Sequence, residues 1–476
     1  MDYKILETTF ELNAENEYQI KEILVDKKTH AFHELFFYKQ DTTFFVSNLN
    51  ILYIYLIKFL CDNEIQFDFA YKNGKCSNVK CDINGTKILF VNFKSKFGVD
   101  FSENYEDNKK LVDYAQKMHR NKISLGADAY SEFLHTIFKR KEEENANYNL
   151  IREDFPVFKY DEMLLEAKKN VYGFQYSVAG RYKDTYDYDI SGSYPASALN
   201  DTPTGPPHYY NRLEDVPKSY FKIIKFTYFN CELKKNGINF VKTQSMGQIT
   251  LTERLFELFK ENYNAKIIIK KIEAFKTRKS MFKQFINQTV IAGKTMQKDK
   301  ILAKYNKAVG NAIIGYLGRN ETTLKNIAKI GKNGLEIEKE EVEIDPIYLP
   351  AYLAILDASK AKFLKAIRPF WKHIIYANTD GFLSTQKIDL QMLNFRNSNS
   401  LLGNFRLCHK YMDLYVECIN GYAGITEDGE IMNTISGMSF ERIITPDDYQ
   451  NKSFVYYVNE PTPAGTIRRS EIYVNI

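Results

Sequence analysis

One stretch constrains this chain more than any other: Tyr186-Asp187-Tyr188-Asp189-Ile190-Ser191-Gly192-Ser193-Tyr194-Pro195. The alternation of Tyr182, Tyr186 and Tyr188 suits a β-strand, Gly192 supplies a permissive backbone, and Pro195 forbids further pairing. The strand therefore ends abruptly, with Asp189 at its tip facing a concavity. A backbone that turns sharply after a carboxylate can present N–H groups to a phosphate while the carboxylate holds the cation that neutralises it. Taken alone, the stretch reads equally well as an edge strand and a turn.

A length of 476 residues is enough for several cores, about two to four domains or subdomains. The 34 Tyr and 34 Phe are unusually many; aromatics at that density fill cores and also stack on bases. Net charge is only +5, but it is unevenly placed. From Lys266 to Gly310 twelve Lys or Arg stand against two acids, Glu273 and Asp299. Phe275, Phe282, Phe285 and Tyr305 interleave these charges, which favours a track for a phosphate backbone over a solvated helical face. The six cysteines form no CxxC pair and no zinc-ligand spacing with the seven histidines, so free thiols, a reducing compartment and no structural metal are expected. The start lacks a charged-then-apolar region, and the most apolar run, Ile51 to Leu60, contains Lys58 and is far too short to span a bilayer. A soluble, intracellular protein with no membrane partner is the expectation.

In chain order, Lys4 to Leu6, Thr42 to Val46 and Lys87 to Val91 read as strands, the last after an Asn84-Gly85 turn, and Leu49 to Leu60 as a buried helix. This is an α/β unit. The charged run Lys139 to Asn147 reads as a solvated helix or loop, and the chain turns tyrosine-rich from Tyr172. Pro203-Thr204-Gly205-Pro206-Pro207 reads as a connection outside regular structure. Strands are expected at Phe221 to Tyr228 and Asn239 to Thr243, then a helix over Leu251 to Tyr263 with Thr252 at the capping position. Helical spacing puts Lys304, Lys307 and Asn311 on one face, where they suit a triphosphate and a base or sugar, or merely a wet surface. Gly293-Lys294-Thr295 resembles the end of a P-loop, but Gln288 stands where that motif requires Gly. Residues 323–344 read as a hairpin, Tyr352 to Ile367 as a helix, and His373 to Leu383 as two strands around Asn378-Thr379-Asp380-Gly381.

Three elements thus stand in order: Asp189 before Ser-Tyr-Pro, a Lys-x-x-x-Asn helix, and a Tyr-x-x-Thr-Asp hairpin. Together they resemble the polymerase motifs of family B DNA polymerases, most closely the protein-primed phage and plasmid group. The family's D-x-x-S-x-Y-P is matched by Asp189, Tyr194 and Pro195, its K-x-x-x-N-S-x-Y-G by Lys307, Asn311 and Gly315, and its Y-x-D-T-D-S by Tyr376, Thr379 and Asp380. Asn333 to Pro346 looks like a hairpin that in this group helps encircle the product duplex, and Ile435 to Met438 like a segment near the thumb.

The resemblance implies an α+β chain: a right-hand polymerase of palm, fingers and thumb, preceded by an RNase H-like α/β exonuclease-type domain over 1–175. Within 176–476 it implies palm at 176–265 and 345–415, fingers at 266–318, a hairpin insertion at 319–346 and thumb at 416–476. It implies two Mg²⁺ or Mn²⁺ ions on Asp189, Asp380 and the Ile190 carbonyl. Ser193, Tyr194, Lys294, Lys307 and Asn311 would face a dNTP, with Tyr194 under the sugar to reject a 2′-hydroxyl. Gly315, Tyr376, Thr379 and Tyr422 would face DNA. Its partners would be DNA template and primer, dNTPs and a terminal priming protein, in a host cytoplasm.

Departures from the family pattern are specific. In the exonuclease motifs Ile5 stands at an Asp position and Leu52 at another, which implies no 3′ to 5′ exonuclease activity. In the polymerase motifs Asn378 replaces an Asp, Gly192 and Ala312 replace Ser, and Ile314 replaces Tyr. Asn420-Gly421-Tyr422 sits where Lys-x-Tyr is expected, so its Lys is missing. The leading reading is a DNA polymerase of a protein-primed replicon. The alternative is a polymerase-derived nucleic-acid-binding protein that has lost catalysis.

Overall fold

The computed structural model describes residues 2–72, 75–118, 120, 122–137, 154–156, 158–279, 281–295, 299–331, 334–344, 347–394, 402–436 and 443–474. The run expected at Lys139 to Asn147 lies outside them, as do Asn333, Pro346, Gly437 and Met438 of the two segments compared with the family.

The first sheet has nine strands. At its centre Asp2–Leu12, Thr42–Val46 and Thr86–Asn92 pair in parallel. All five residues of Thr42–Val46 are buried, as a parallel strand covered on both faces requires. Helix Leu49–Asp62 covers one face, and helices Tyr105–Lys117 and Leu125–Ile137 belong to the layer on the other. The sheet does not end with the N-terminal segment. Strands Thr322–Gly331 and Gly334–Glu343 form the expected hairpin, and its first strand joins strand Phe67–Lys72 through Asn326 and Phe69.

A seven-stranded antiparallel sheet carries the motif residues. In spatial order its strands are Ile431–Ile435, Gly421–Thr426, Phe405–Cys418, Gly180–Ile190, Gly381–Ser384, Ile374–Asn378 and Gln175–Ser177. A thumb beginning at 416 would cut through Phe405–Cys418, and two further strands continue the same ladder. The separate C-terminal element is the hairpin of Phe454–Pro461 and Ile467–Val474. Helix Leu349–Ile367 runs through the core between the sheets; all its residues but Lys362 and Lys365 are buried.

A four-stranded sheet corrects three expectations. The proline-rich stretch belongs to strand Thr202–Tyr210, which pairs with Tyr263–Arg278. It can do so because it is an edge strand with a register shift between Thr204 and His208, so the missing proline N–H groups interrupt no interior ladder. Tyr263–Arg278 is itself a 16-residue strand, so the first part of the basic segment, expected as fingers from 266, is sheet. Asn239 to Thr243 forms no strand; Ile238, Phe240 and Val241 instead plug the core. Thr252 does precede helix Glu253–Asn262, yet its hydroxyl donates to Asp357 Oδ1 at 2.7 Å rather than capping. The same oxygen accepts the Leu255 N–H at 3.1 Å, so a buried carboxylate from the central helix caps its neighbour.

Candidate active site

Of the two carboxylates singled out from the sequence, Asp189 lies on strand Gly180–Ile190 and Asp380 in the turn that leads directly into its neighbour, Gly381–Ser384. Antiparallel pairing aligns Gly381 with Asp189, and the Ile190 N–H donates to the Asp380 carbonyl at 3.0 Å. A Cβ built on Gly381 would lie 3.8 Å from Asp189 Oδ1. The Asp380 carboxyl is pushed up to about 6, first by burial and then by the charge of Asp189. The two carboxylates therefore lie within electrostatic reach of each other. Below them Gly192 adopts a left-handed φ of 61° and starts the short helix Ser193–Ala198. The Ser193 hydroxyl is turned inward, 2.6 Å from Ser359 Oγ, which leaves its backbone for any outward contact. Tyr194 lies close enough to Asp380 that burial and this charge push its hydroxyl up to about 12.

Cations face this pair. Helix Lys300–Leu317 carries Lys307, whose charge draws the Asp380 carboxyl back down, and Asn311 exposed one turn further on. Gly315 is also exposed, with open space beside it. Lys294 donates to Ser191 Oγ at 2.6 Å. Its ammonium is held below the usual range, first by burial and then by Arg406 and Lys307, so the three cations crowd one another.

Arg406 is the residue sequence reading missed. It stands opposite Asp189 on strand Phe405–Cys418, and its Nη2 donates to Asp189 Oδ2 at 3.2 Å. Nothing local in the sequence marks it; only the register does. Asp187 was also missed, although its signal was present: two residues before Asp189 on a strand places both on one face. Burial, then Asp189, push the Asp187 carboxyl up to about 7, while Arg406 opposes.

The turn after Ile374–Asn378 is tightly held. Thr379 adopts φ 61°, its N–H donates to the Phe174 carbonyl at 2.8 Å, and its side chain packs where any Cβ on Gly173 would collide. Asn378 Nδ2 donates to Asn420 Oδ1 at 2.6 Å, and its amide also reaches the Tyr376 hydroxyl at 3.4 Å. Tyr376 is only 5% exposed, packed edge-on to Tyr422 with 5.3 Å between ring centres. An expected direct contact of Tyr376 with DNA is thereby removed; its hydroxyl instead accepts the Asn420 N–H at 3.3 Å.

This architecture is similar to that of Phi29 DNA polymerase. Against that enzyme complexed with primer-template DNA and incoming nucleotide substrates, the TM-score is 0.81 at 14% identity, over 99% of this chain and 100% of that one. Its post-translocation complex with primer-template DNA gives 0.78 at 14%, and its complex with single-stranded DNA 0.77 at 15%, with the same coverage. The fold is that of a right-hand polymerase. It is an α+β palm, fingers and thumb behind an RNase H-like exonuclease-type domain. No protein family's sequence profile matches the chain, and no curated protein matches it in sequence.

In the exonuclease-type domain Ile5 and Leu52 are both buried, in two different apolar clusters, and neither offers an oxygen to a cation. In the palm, the neighbouring carboxylates Asp189 and Asp380 offer oxygens of the kind a hard divalent cation takes. Among the described residues no group of three or more His, Cys, Asp or Glu is arranged to hold a metal. No helix among them is long and apolar enough to cross a membrane.

Proposed function

We propose that this chain is a template-directed DNA polymerase of a protein-primed viral or plasmid replicon, acting in the host cytoplasm. The observation that carries the reading is that Asp189, on its strand, and Asp380, in the turn before the neighbouring strand, lie beside each other and near Lys294, Lys307 and Arg406. The likeness in fold to an enzyme solved with primer-template DNA and nucleotides supports it.

The reaction is attack by a hydroxyl, of a DNA primer or a terminal priming protein, on the α-phosphorus of a dNTP; a phosphodiester forms and pyrophosphate leaves. Asp189, Asp380 and the Ile190 carbonyl would hold two ions, Mg²⁺ or Mn²⁺, which when bound acidify the hydroxyl and neutralise the triphosphate. Lys307 and Lys294 pair with triphosphate oxygens, and the backbone N–H groups of Ser193 and Tyr194 add donors in the first turn of their helix. The ring of Tyr194 lies under the sugar and excludes a 2′-hydroxyl, which selects deoxynucleotides. Asn311, Gly315, Thr379 and Tyr422 line the nucleotide and DNA side, while Tyr376 acts from within by holding Asn378 and Asn420. The exonuclease-type domain performs no proofreading, because Ile5 and Leu52 cannot replace the two missing carboxylates.

A second reading has a specific observation behind it. Asn378 lacks the charge of a third carboxylate, and Arg406 already neutralises Asp189, which suits a nucleic-acid-binding protein with impaired catalysis. Incorporation of dNTPs on a primed template, with Mg²⁺ and Mn²⁺ compared and Asp189→Ala as control, separates the two. Addition that disappears in the control supports the polymerase; DNA binding without addition supports the second reading.

A further inference from the structure

The helix that presents Lys307 and Asn311 is not held by the fingers alone. Its residues Tyr305, Asn306, Val309 and Ile313 are buried, and much of what covers them comes from the exonuclease-type domain. Phe97 and Tyr114 place their rings 5.5 and 6.3 Å from that of Tyr305. At Gly98 the approach is so close that an added Cβ would lie 2.5 Å from Ala308 Cβ.

A buried polar cluster sits at the centre of this apolar contact. Arg120, with 1% of its side chain exposed, forks onto Glu132 with Nε–Oε2 at 2.7 Å and Nη2–Oε1 at 3.1 Å. Its remaining arm, Nη1, donates to Asn306 Oδ1 at 3.0 Å, and Asn306 Nδ2 donates to the Tyr114 hydroxyl at 3.2 Å. The guanidinium carbon lies 5.1 Å from the Tyr305 ring centre. The segment carrying Arg120 is fixed in turn by Lys96, which is buried, paired with buried Asp128, and donates to the carbonyls of Arg120 at 3.0 Å and Lys122 at 2.6 Å.

We propose that the exonuclease-type domain keys the rotation of the nucleotide-facing helix, with Arg120 as the positioning residue. Apolar contacts are non-directional and tolerate a helix that turns or slides about its axis. A guanidinium fork does not, because its donors lie in one rigid plane. Successive helical residues are rotated by about 100°. Locking Asn306 inward therefore fixes where Lys307 points, and a slip of one residue would swing Lys307 away from Asp380. Buried ion pairs add little net stability relative to apolar replacements, and their best-attested use is to set register. The nucleotide part of this inference rests on the proposed function.

The test removes the pair without stranding a charge, in Arg120→Met with Glu132→Gln, and compares it with Arg120→Lys and Asn306→Leu. Each is assayed by thermal melting, primer-template binding, equilibrium binding of a fluorescent dNTP, and the separate KM and kcat of single-nucleotide addition. The double variant is expected to melt near wild type and to bind DNA equally. Its dNTP KM should rise about tenfold, within the roughly 100-fold that a 1 Å misplacement can cost, with kcat changed less. Arg120→Lys, which keeps the charge and loses the fork, should fall between. A folded double variant with unchanged KM and dNTP affinity overturns the proposal, as does one whose melting falls while KM stays put. Should the double variant not fold, Asn306→Leu decides: it removes the amide that meets Arg120 and the Tyr114 hydroxyl, and an unchanged KM there is equally fatal. Wild-type protein that binds no dNTP at all overturns the polymerase reading, and the register claim with it; binding in wild type with unchanged variants overturns only the latter.

Discussion

Arg406→Ala should move two measured quantities in opposite directions. The arginine side chain is 59% exposed and its partner Asp189 34%, with 3.2 Å between Nη2 and Oδ2. Exposed pairs of this kind contribute roughly 0.2–1 kcal/mol, a factor of about 1.5 to 5 in an equilibrium constant. In the nucleotide-free protein the guanidinium competes with any cation for Asp189. Removing it should therefore tighten Mn²⁺ binding by about that factor, read by electron paramagnetic resonance titration without nucleotide. With a dNTP present, the same substitution deletes one of three clustered cations beside Lys294 and Lys307. The dNTP KM should then rise several-fold. Because Arg406 is largely solvated, both effects should shrink as ionic strength increases. Mn²⁺ affinity that is unchanged or weaker in the variant refutes the competition, whatever happens to KM.

Asn378→Asp restores a carboxylate and should raise Mg²⁺-dependent extension; an equal or lower rate counts against the reading of Asn378 as a weakened site. A labelled mismatched primer should keep its length with either Mg²⁺ or Mn²⁺, and shortening would show that proofreading survives without carboxylates at Ile5 and Leu52. Glu273, buried and beside Asp161, is pushed up to about 8. The native state thus keeps a proton that the unfolded chain releases near its ordinary value, so stability should fall by roughly 3 kcal/mol as pH rises from about 5 to 8. In Glu273→Gln that slope in melting temperature should flatten, and an unaltered slope would mean another group sets it.

Local patterns were legible where the physics is local. The tyrosine alternation ending at Pro195, the buried helix from Leu49 and the turn at Asn378 to Gly381 all follow from spacing and turn chemistry, and the structure contains each. The failures occurred where position in a sheet outranks composition. Prolines 203, 206 and 207 mark a break only if the strand has neighbours on both sides, and edge position is not written locally. Asn239 to Thr243 has strand composition, but no partner strand lies beside it. Arg406 faces Asp189 only because two strands distant in sequence pair in one register, and Arg120 reaches Asn306 across an interface no motif describes. Thr252 shows the intermediate case, a correctly placed helix start whose capping oxygen comes from Asp357.

The apolar residue at position 5 ties the N-terminal domain to the rest of the chain. Ile5 belongs to the same continuous apolar cluster as Tyr305 and Val309 of helix Lys300–Leu317 and Tyr188 and Ile190 of the strand bearing Asp189. A buried carboxylate kept for a cation is a cost to folding once no cation is bound there, whereas a buried isoleucine contributes about 1.5–3 kcal/mol. Isoleucine at position 5 therefore strengthens the core that the domain shares with strand Gly180–Ile190 and helix Lys300–Leu317, whereas Leu52 belongs to a second cluster. Deleting the domain would instead expose Tyr305, Val309 and Ile313 and leave Asn306 without its guanidinium partner. The N-terminal domain and the helix carrying Lys307 therefore stabilise one another through this shared core, whatever chemistry the domain performs.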